Sequence, residues 1–209
     1  MGRGSRLRLG RTRDDAAGES FDKVAQVLGL GYPGGPPIDA LARQGDPEGV
    51  PLPTPRVEGA PLDFSFSGLK SAAVRWIREH DLVGAAGGRQ DLSLVCDLAA
   101  SFESAVVEQL LAPLEALAER HRPQVVTASG GVAANSLLRA RLTEWGRENR
   151  VETLLPERSL TTDNAVMIAH AGQLARAAGS SDDPRRLDAR AREVWHPPGM
   201  RRMLAGADV

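Results

Sequence analysis

Residues Val125-Val-Thr-Ala-Ser-Gly-Gly-Val-Ala-Ala-Asn135 decide the fold class. The β-branched run Val125–Ala128 predicts a strand, and Ser129-Gly130-Gly131 a tight turn. A helix is expected from Ala134 to about Arg147. Downstream, Val151 to Leu155 reads as a second strand ended by Pro156, and Asp163 to about Ala177 as another helix. A tail strand at Glu193-Val-Trp195 is expected to follow. Strands alternating with helices indicate an α/β domain with helices packed on a mostly parallel sheet.

Upstream the pattern is helical. Ala17, Phe21, Val24, Val27 and Leu28 make an apolar stripe, so Asp14–Leu30 reads as a helix. Asp15, Glu19 and Asp22 share its other face, with nothing on that face to neutralise them. Gly29-Leu-Gly-Tyr-Pro-Gly-Gly-Pro-Pro37 stops the helix and reads as a rigid loop, followed by a short helical turn, Ile38–Arg43. Residues 45–61, rich in Pro and Gly, read as a surface excursion. Asp63-Phe-Ser-Phe-Ser67 alternates like a short strand, and Ser67 is placed to cap a helix from Leu69 to His80. After a flexible stretch from Val83 to Gly88, Asp91 to about Arg120 forms the longest helical pattern, which Pro113 is expected to kink or divide.

Composition narrows the function. The 209 residues are enough for one core or two small domains. The 26 basic and 27 acidic residues leave a formal charge of −1, which excludes a globally basic nucleic-acid binder but not a local patch. Cys96 is the single cysteine, which excludes a disulfide framework or a cysteine-only zinc site; in its amphipathic helix it reads as a packed small hydrophobe. No apolar run spans a bilayer and no signal-peptide pattern is present, so a reducing cytoplasm is expected. The only lysines are Lys23 and Lys70. Residues 1–13 carry five arginines and no acid.

Three clusters invite chemistry. The Ser129-Gly130-Gly131 turn lets a ligand approach backbone, the next helix offers amides, and Asn135 could bond a base or sugar; an ordinary α/β turn is the alternative. The carboxylates Asp15, Glu19 and Asp22 could accept ribose hydroxyls or hold a hydrated cation, or form a solvated helix face. Asp163 in Thr162-Asp163-Asn164 could cap a helix or ligate a metal. His80, His121, His170 and His196 show no metal-ligand spacing, so the chain offers no complete metal site. Gly29-x-Gly31-x-x-Gly34 follows a helix rather than a strand and contains Pro33, so the dinucleotide fingerprint fails. Ser67-Gly-Leu-Lys70 matches the S-x-x-K of acyl-enzymes, but the K-T-G those enzymes need is missing.

Five blocks occur in one order: Asp14-Asp-Ala-Ala-Gly-Glu-Ser-Phe-Asp-Lys23, Leu30-Gly-Tyr-Pro-Gly-Gly-Pro36, Asp63-Phe-Ser-Phe-Ser-Gly-Leu-Lys70, Gly130-Gly-Val-Ala-Ala-Asn135 and Thr162-Asp-Asn164. Together they resemble the tRNA N(6)-adenosine threonylcarbamoyltransferase family, formerly called O-sialoglycoprotein endopeptidases or glycoproteases. The resemblance covers Leu9 to about Trp195. It implies an actin-like fold of two α/β lobes around a nucleotide cleft. It implies transfer of threonylcarbamoyl from threonylcarbamoyl-adenylate to the exocyclic amine of the adenosine beside the tRNA anticodon. Asp22 and Gly35 would contact the adenylate, Asp39 would hold the ribose, Asn135 would contact the nucleotide, and Asp163 would ligate one divalent metal, iron or zinc, acting as a Lewis acid. Family partners include tRNA, an actin-fold paralogue and a P-loop ATPase.

The sequence departs from the family in having neither the H-x-x-x-H ligand pair nor the Ser-Gly-Gly-His-Thr segment of the N-terminal lobe. The expected architecture is therefore mainly the C-terminal lobe. Residues 1–178 would form an incomplete second lobe with a helical insert, and residues 179–209 a segment returning to the first lobe, which another chain could supply. Such a chain is expected to be inactive alone, with an unpaired sheet edge that promotes association. The alternatives are a non-catalytic nucleotide-binding partner or scaffold, and a peptidase or other hydrolase.

Overall fold

The computed structural model describes residues 7–54, 57–84 and 91–179. The expected tail strand at Glu193–Trp195 and almost all of the expected C-terminal segment lie outside the described residues. So do Arg3, Arg6, His196 and residues 85–88 of the expected flexible stretch. Residues Gly10–Asp163 form one compact unit.

Four helices build its core. Helix α1 (Ala17–Leu28) buries Phe21, Val24, Ala25 and Leu28, the i, i+3, i+4, i+7 stripe legible in the sequence, and ends at Gly29. Helix α2 (Gly35–Ala42) buries Ile38 and Ala42. Its start corrects the expected rigid loop. Pro36 and Pro37 sit in its first turn, where the missing proline N–H groups cost no intrahelical bond. Helix α3 (Ser67–Glu79) buries Leu69, Ala73 and Ile77. Helix α4 (Leu92–His121) starts under the Asp91 side chain, which accepts from the Ser93 N–H at 3.1 Å, and runs on through Pro113 without being divided. Leu98, Phe102 and Val106 of α4 face the other helices, and Phe102 meets Phe21 edge-on at 5.3 Å between centroids.

The Pro- and Gly-rich stretch from residue 45 is pinned to α4 by side chains of that helix. The Asp46 N–H donates to Asp97 Oδ1 at 2.8 Å, and the Val50 N–H to Ser101 Oγ at 3.0 Å, which buries Val50.

The α/β alternation holds but is slight. Strand β1 (Val125–Thr127) leads through a 3₁₀ turn, Gly131–Ala134, into α5 (Ser136–Asn149) and then β2 (Glu152–Leu154). The strands are parallel, with Val126 opposite Thr153. Among the described residues this two-stranded pair is the only sheet, and each strand buries little. The core therefore lies among α1–α4 rather than between helices and a sheet. Three-residue strands carry too little apolar area to organise one.

The expected strand at Asp63–Ser67 reduces to a single parallel bridge, Thr12 to Phe64. The Arg13 N–H donates to the Phe64 carbonyl and the Phe64 N–H to the Arg11 carbonyl, both at 2.9 Å. Helix α6 (Ala165–Ala177) is described by itself; its N-cap is Asn164, whose Oδ1 accepts from the Met167 N–H at 3.2 Å. The cap is therefore one residue beyond Asp163, the expected one. Among the described residues no helix is long and apolar enough to cross a membrane.

Candidate functional site

Helix α2 ties together the segments singled out in the sequence. At its start, the Gly34 N–H donates to Asp22 Oδ1 of α1 at 2.7 Å. A Cβ on Gly34 would lie 2.5 Å from Ala25 Cβ and 2.8 Å from the Phe21 carbonyl oxygen, so only glycine permits this approach. Gly35, the residue expected to meet the adenylate, is half-buried, and a Cβ placed on it would meet nothing within 4 Å.

One turn on, buried Asp39 reaches the N-terminus of α5. Its Oδ1 accepts the Ser136 N–H at 2.8 Å and the Ser136 hydroxyl, and its Oδ2 pairs with Arg43 at 2.5 Å. Burial works against the Asp39 charge. The Ser136 hydroxyl and amide, with Arg43, outweigh it and hold the carboxyl below its ordinary value.

Asn135 is the N-cap of α5 rather than a first-turn residue. Its Oδ1 accepts from the Leu138 N–H at 2.9 Å, and its Nδ2 donates to Glu103 Oε1 at 2.5 Å. The amides expected to be open at this helix start are thus already bonded at Ser136 and Leu138. The Gly130-Gly131 turn lies immediately before, and Gly130 at φ 93° takes a conformation that favours glycine.

Glu103 is the residue that sequence reading missed. It lies in the middle of α4 and is only 4% exposed. Burial is the largest cause that pushes its carboxyl up, to about 7; the Asn135 amide opposes this, and the Asp39 charge adds to it. The neighbouring Asp39 carboxylate thus disfavours a second negative charge on Glu103. The available signal was a glutamate on the apolar stripe of an amphipathic helix, with no Lys or Arg near it in sequence.

The acidic face, read as unneutralised, is neutralised in the fold. Lys23 Nζ lies 2.6 Å from Glu19 and 3.4 Å from Asp15, and Lys70 pairs closely with Asp15, so both lysines of the chain neutralise this face. The Lys70 hydrogen bond is the main cause that holds Asp15 low. Asp22 leaves the set by turning to Gly34.

Ser67 is not the cap of α3 either. Asp14 caps it from a distant segment, accepting the Phe66 N–H at 2.8 Å, the Ser67 N–H at 3.2 Å and the Ser65 and Ser67 hydroxyls at 2.6 and 2.8 Å. Ser67 donates to Asp14 while Lys70 serves Asp15, so the S-x-x-K pair is not arranged as nucleophile and base. Cys96 is buried, and burial first, then Asp97, raises its thiol, as suits a packed side chain.

Asp163 is exposed in the loop after the 3₁₀ turn Arg158–Leu160. Among the described residues no three His, Cys, Asp or Glu side chains cluster as metal ligands, so the residues described do not by themselves fit a metal.

Residues 2–170 match the family model TsaD, tRNA N6-adenosine threonylcarbamoyltransferase. Relatives of that name share 48% identity over 160 residues in Moorella thermoacetica, 77% of this chain and 45% of the relative. The Synechococcus sp. protein shares 49% over 164 residues, 78% of this chain and 43% of the relative. The Sphingopyxis alaskensis protein shares 44% over all 209 residues, 57% of the relative. The chain spans about half the length of the curated relatives it matches. With the five ordered blocks placed in the structure and the family match covering most of the sequence, the chain belongs to the tRNA N6-adenosine threonylcarbamoyltransferase family.

Proposed function

We propose that this chain supplies the adenosine-binding side of a tRNA N6-adenosine threonylcarbamoyltransferase with an actin-like fold. The observation that carries the reading is the convergence of Asp39 and Asn135 on the start of α5, directly after the Gly130-Gly131 turn. These are two of the four residues that the family resemblance assigns to the nucleotide. The other two, Asp22 and Gly35, belong to the junction of α1 and α2 that carries Asp39.

The contacts leave room for a ligand. A carboxylate has about four acceptor positions. At Asp39 three are taken, by the Ser136 amide and hydroxyl and by Arg43. Arg43 is the exchangeable one, because its side chain is 57% exposed. A ribose hydroxyl would replace it. Asn135 keeps one amide hydrogen and one carbonyl lone pair for the nucleotide.

In the reaction, the N6 amine of the tRNA adenosine attacks the carbamoyl carbonyl of threonylcarbamoyl-adenylate. The bond from that carbon to the phosphate oxygen breaks, AMP leaves with the electron pair, and the amine's proton passes to solvent. The site's contribution is to hold the adenylate in place. Asp163 would be one ligand of a divalent iron or zinc; with no ligand cluster among the described residues, no step is assigned to the metal. The tRNA, an actin-fold paralogue and a P-loop ATPase are the proposed partners, in the cytoplasm.

The reading is tested with purified 209-residue chain, threonylcarbamoyl-adenylate and tRNA. The chain alone is expected to bind nucleotide without forming modified tRNA, and to form it when a polypeptide carrying the H-x-x-x-H lobe is added. Modification by the chain alone would contradict the division of labour. The second reading, a non-catalytic nucleotide-binding partner, is favoured by the self-contained Asp39, Ser136 and Asn135 bonds; binding with no rescue by the added lobe would select it.

A further inference from the structure

The geometry points to Glu103 as a positioning residue that keeps its proton beside Asp39, so that one negative charge, on Asp39, meets the ligand. This rests on the reading that Asp39 and Asn135 contact the nucleotide.

Glu103 faces both members of that pair. Its Oε1 accepts Asn135 Nδ2 at 2.5 Å, and the Asp39 carboxylate lies close enough to oppose a charge on it. The bond fixes the Asn135 amide with its Oδ1 toward Leu138. Two neighbouring buried carboxyls disfavour two charges, and their donor sets say which one keeps the proton. Asp39 has the Ser136 amide and hydroxyl and the Arg43 guanidinium, all of which favour its charge. Glu103 is bonded by the neutral Asn135 amide, feels Arg43 as the weakest influence on it, and lies buried in α4. From α2 it faces Asp39 and Arg43, and from the α5 cap the neutral Asn135. Two carboxyls driven apart in this way divide into one acid and one carboxylate.

Arg43 makes the proton matter. With Glu103 neutral, Arg43 balances one carboxylate and can swing out to admit a ribose hydroxyl. With Glu103 charged, the same guanidinium faces two carboxylates and is held over the site, while the extra charge repels an anionic nucleotide. Ligand affinity should fall as Glu103 loses its proton.

The experiment is ATP titration calorimetry on the full chain across a pH series, comparing wild type with Glu103→Gln. Glutamine is neutral at every pH, with an NH₂ for Asp39 and a C=O for Asn135. ATP's own protonation affects both proteins alike. The expected wild-type affinity, relative to Glu103→Gln, falls roughly tenfold per pH unit once pH exceeds about 7. A constant ratio across the series overturns the inference, and so does a Glu103→Gln protein that fails to fold. A second readout needs no ligand: the Glu103 side-chain carboxyl ¹³C shift should titrate near neutrality, and earlier in Asp39→Asn. A midpoint in the ordinary glutamate range overturns the inference. Absence of ATP binding in wild type together with a near-neutral Glu103 titration counts against the nucleotide reading and leaves the Glu103 proton standing.

Discussion

The Asp39 carboxylate accepts the Ser136 backbone N–H at 2.8 Å across 97 residues of sequence. This bond joins α2 to the start of α5, where the negative charge meets the positive end of the helix dipole. Asp39→Ala should lower unfolding stability by about 2 kcal/mol, the scale of a lost charged hydrogen bond plus a helix-end contact. Urea denaturation with an unchanged m-value measures it. A loss near zero would mean that the junction does not depend on Asp39.

Gly34 and Gly35 should respond differently to alanine. Gly34→Ala forces a methyl against Ala25 and the Phe21 carbonyl, and should cost about 1–3 kcal/mol. Gly35→Ala meets open space and should leave stability nearly unchanged. If Gly35 lies against the adenylate, the same methyl weakens nucleotide binding. Melting curves and ATP titrations on the two variants separate the roles.

The remote cap on α3 gives a third comparison. Asp14→Ala removes the acceptor for two backbone amides and two hydroxyls and should cost about 1 kcal/mol. Ser67→Ala removes one hydroxyl donor and should cost less. The reverse order would restore Ser67 as the cap.

Local pattern made α1, α4, α5 and the two strands legible, because the Phe21, Val24 and Leu28 stripe marks a buried helix face and the β-branched pair Val125-Val126 a strand within a few residues. What sequence could not supply was long-range pairing. Ser67 preceded an apolar helix and looked like its cap, yet Asp14, 53 residues away, provides the acceptor. Asp15, Glu19 and Asp22 looked like an unneutralised face although the local Glu19–Lys23 pair was there to read; Lys70, 55 residues from Asp15, reaches it only in the fold. Glu103 drew no attention for the same reason: both of its partners, Asp39 and Asn135, are distant in the chain. The family resemblance named Asp39 and Asn135, and the structure brings them to one place, where Asp39 bonds Ser136 and Asn135 bonds Glu103.

Stability should pass through a maximum in mildly acid solution. The folded Asp14, Asp15 and Asp39 carboxyls lie below their ordinary values, so their contribution is present above pH of about 4 and is lost as pH falls through their folded range. Glu103 has the opposite sign. Its folded value is raised to about 7 from 4.5, so the folded state holds the proton longer and stability declines as pH rises between those values. Above that window its effect is constant. Urea midpoints measured across pH should show the decline in wild type and lose it in Glu103→Gln. A wild-type profile that rises steadily from pH of about 5 to 8 would contradict the assignment.

The most direct measurement is ATP titration of the purified 209-residue chain beside its Asp39→Ala and Asn135→Ala variants, each first shown to be folded by its melting curve. The predicted result is saturable binding of one nucleotide per chain by wild type and a loss of at least about tenfold in each variant, the scale of one lost hydrogen bond to a charged or fixed polar group. Binding that both variants retain unchanged, or no binding by the folded wild-type chain, would contradict the assignment of the nucleotide to the start of α5.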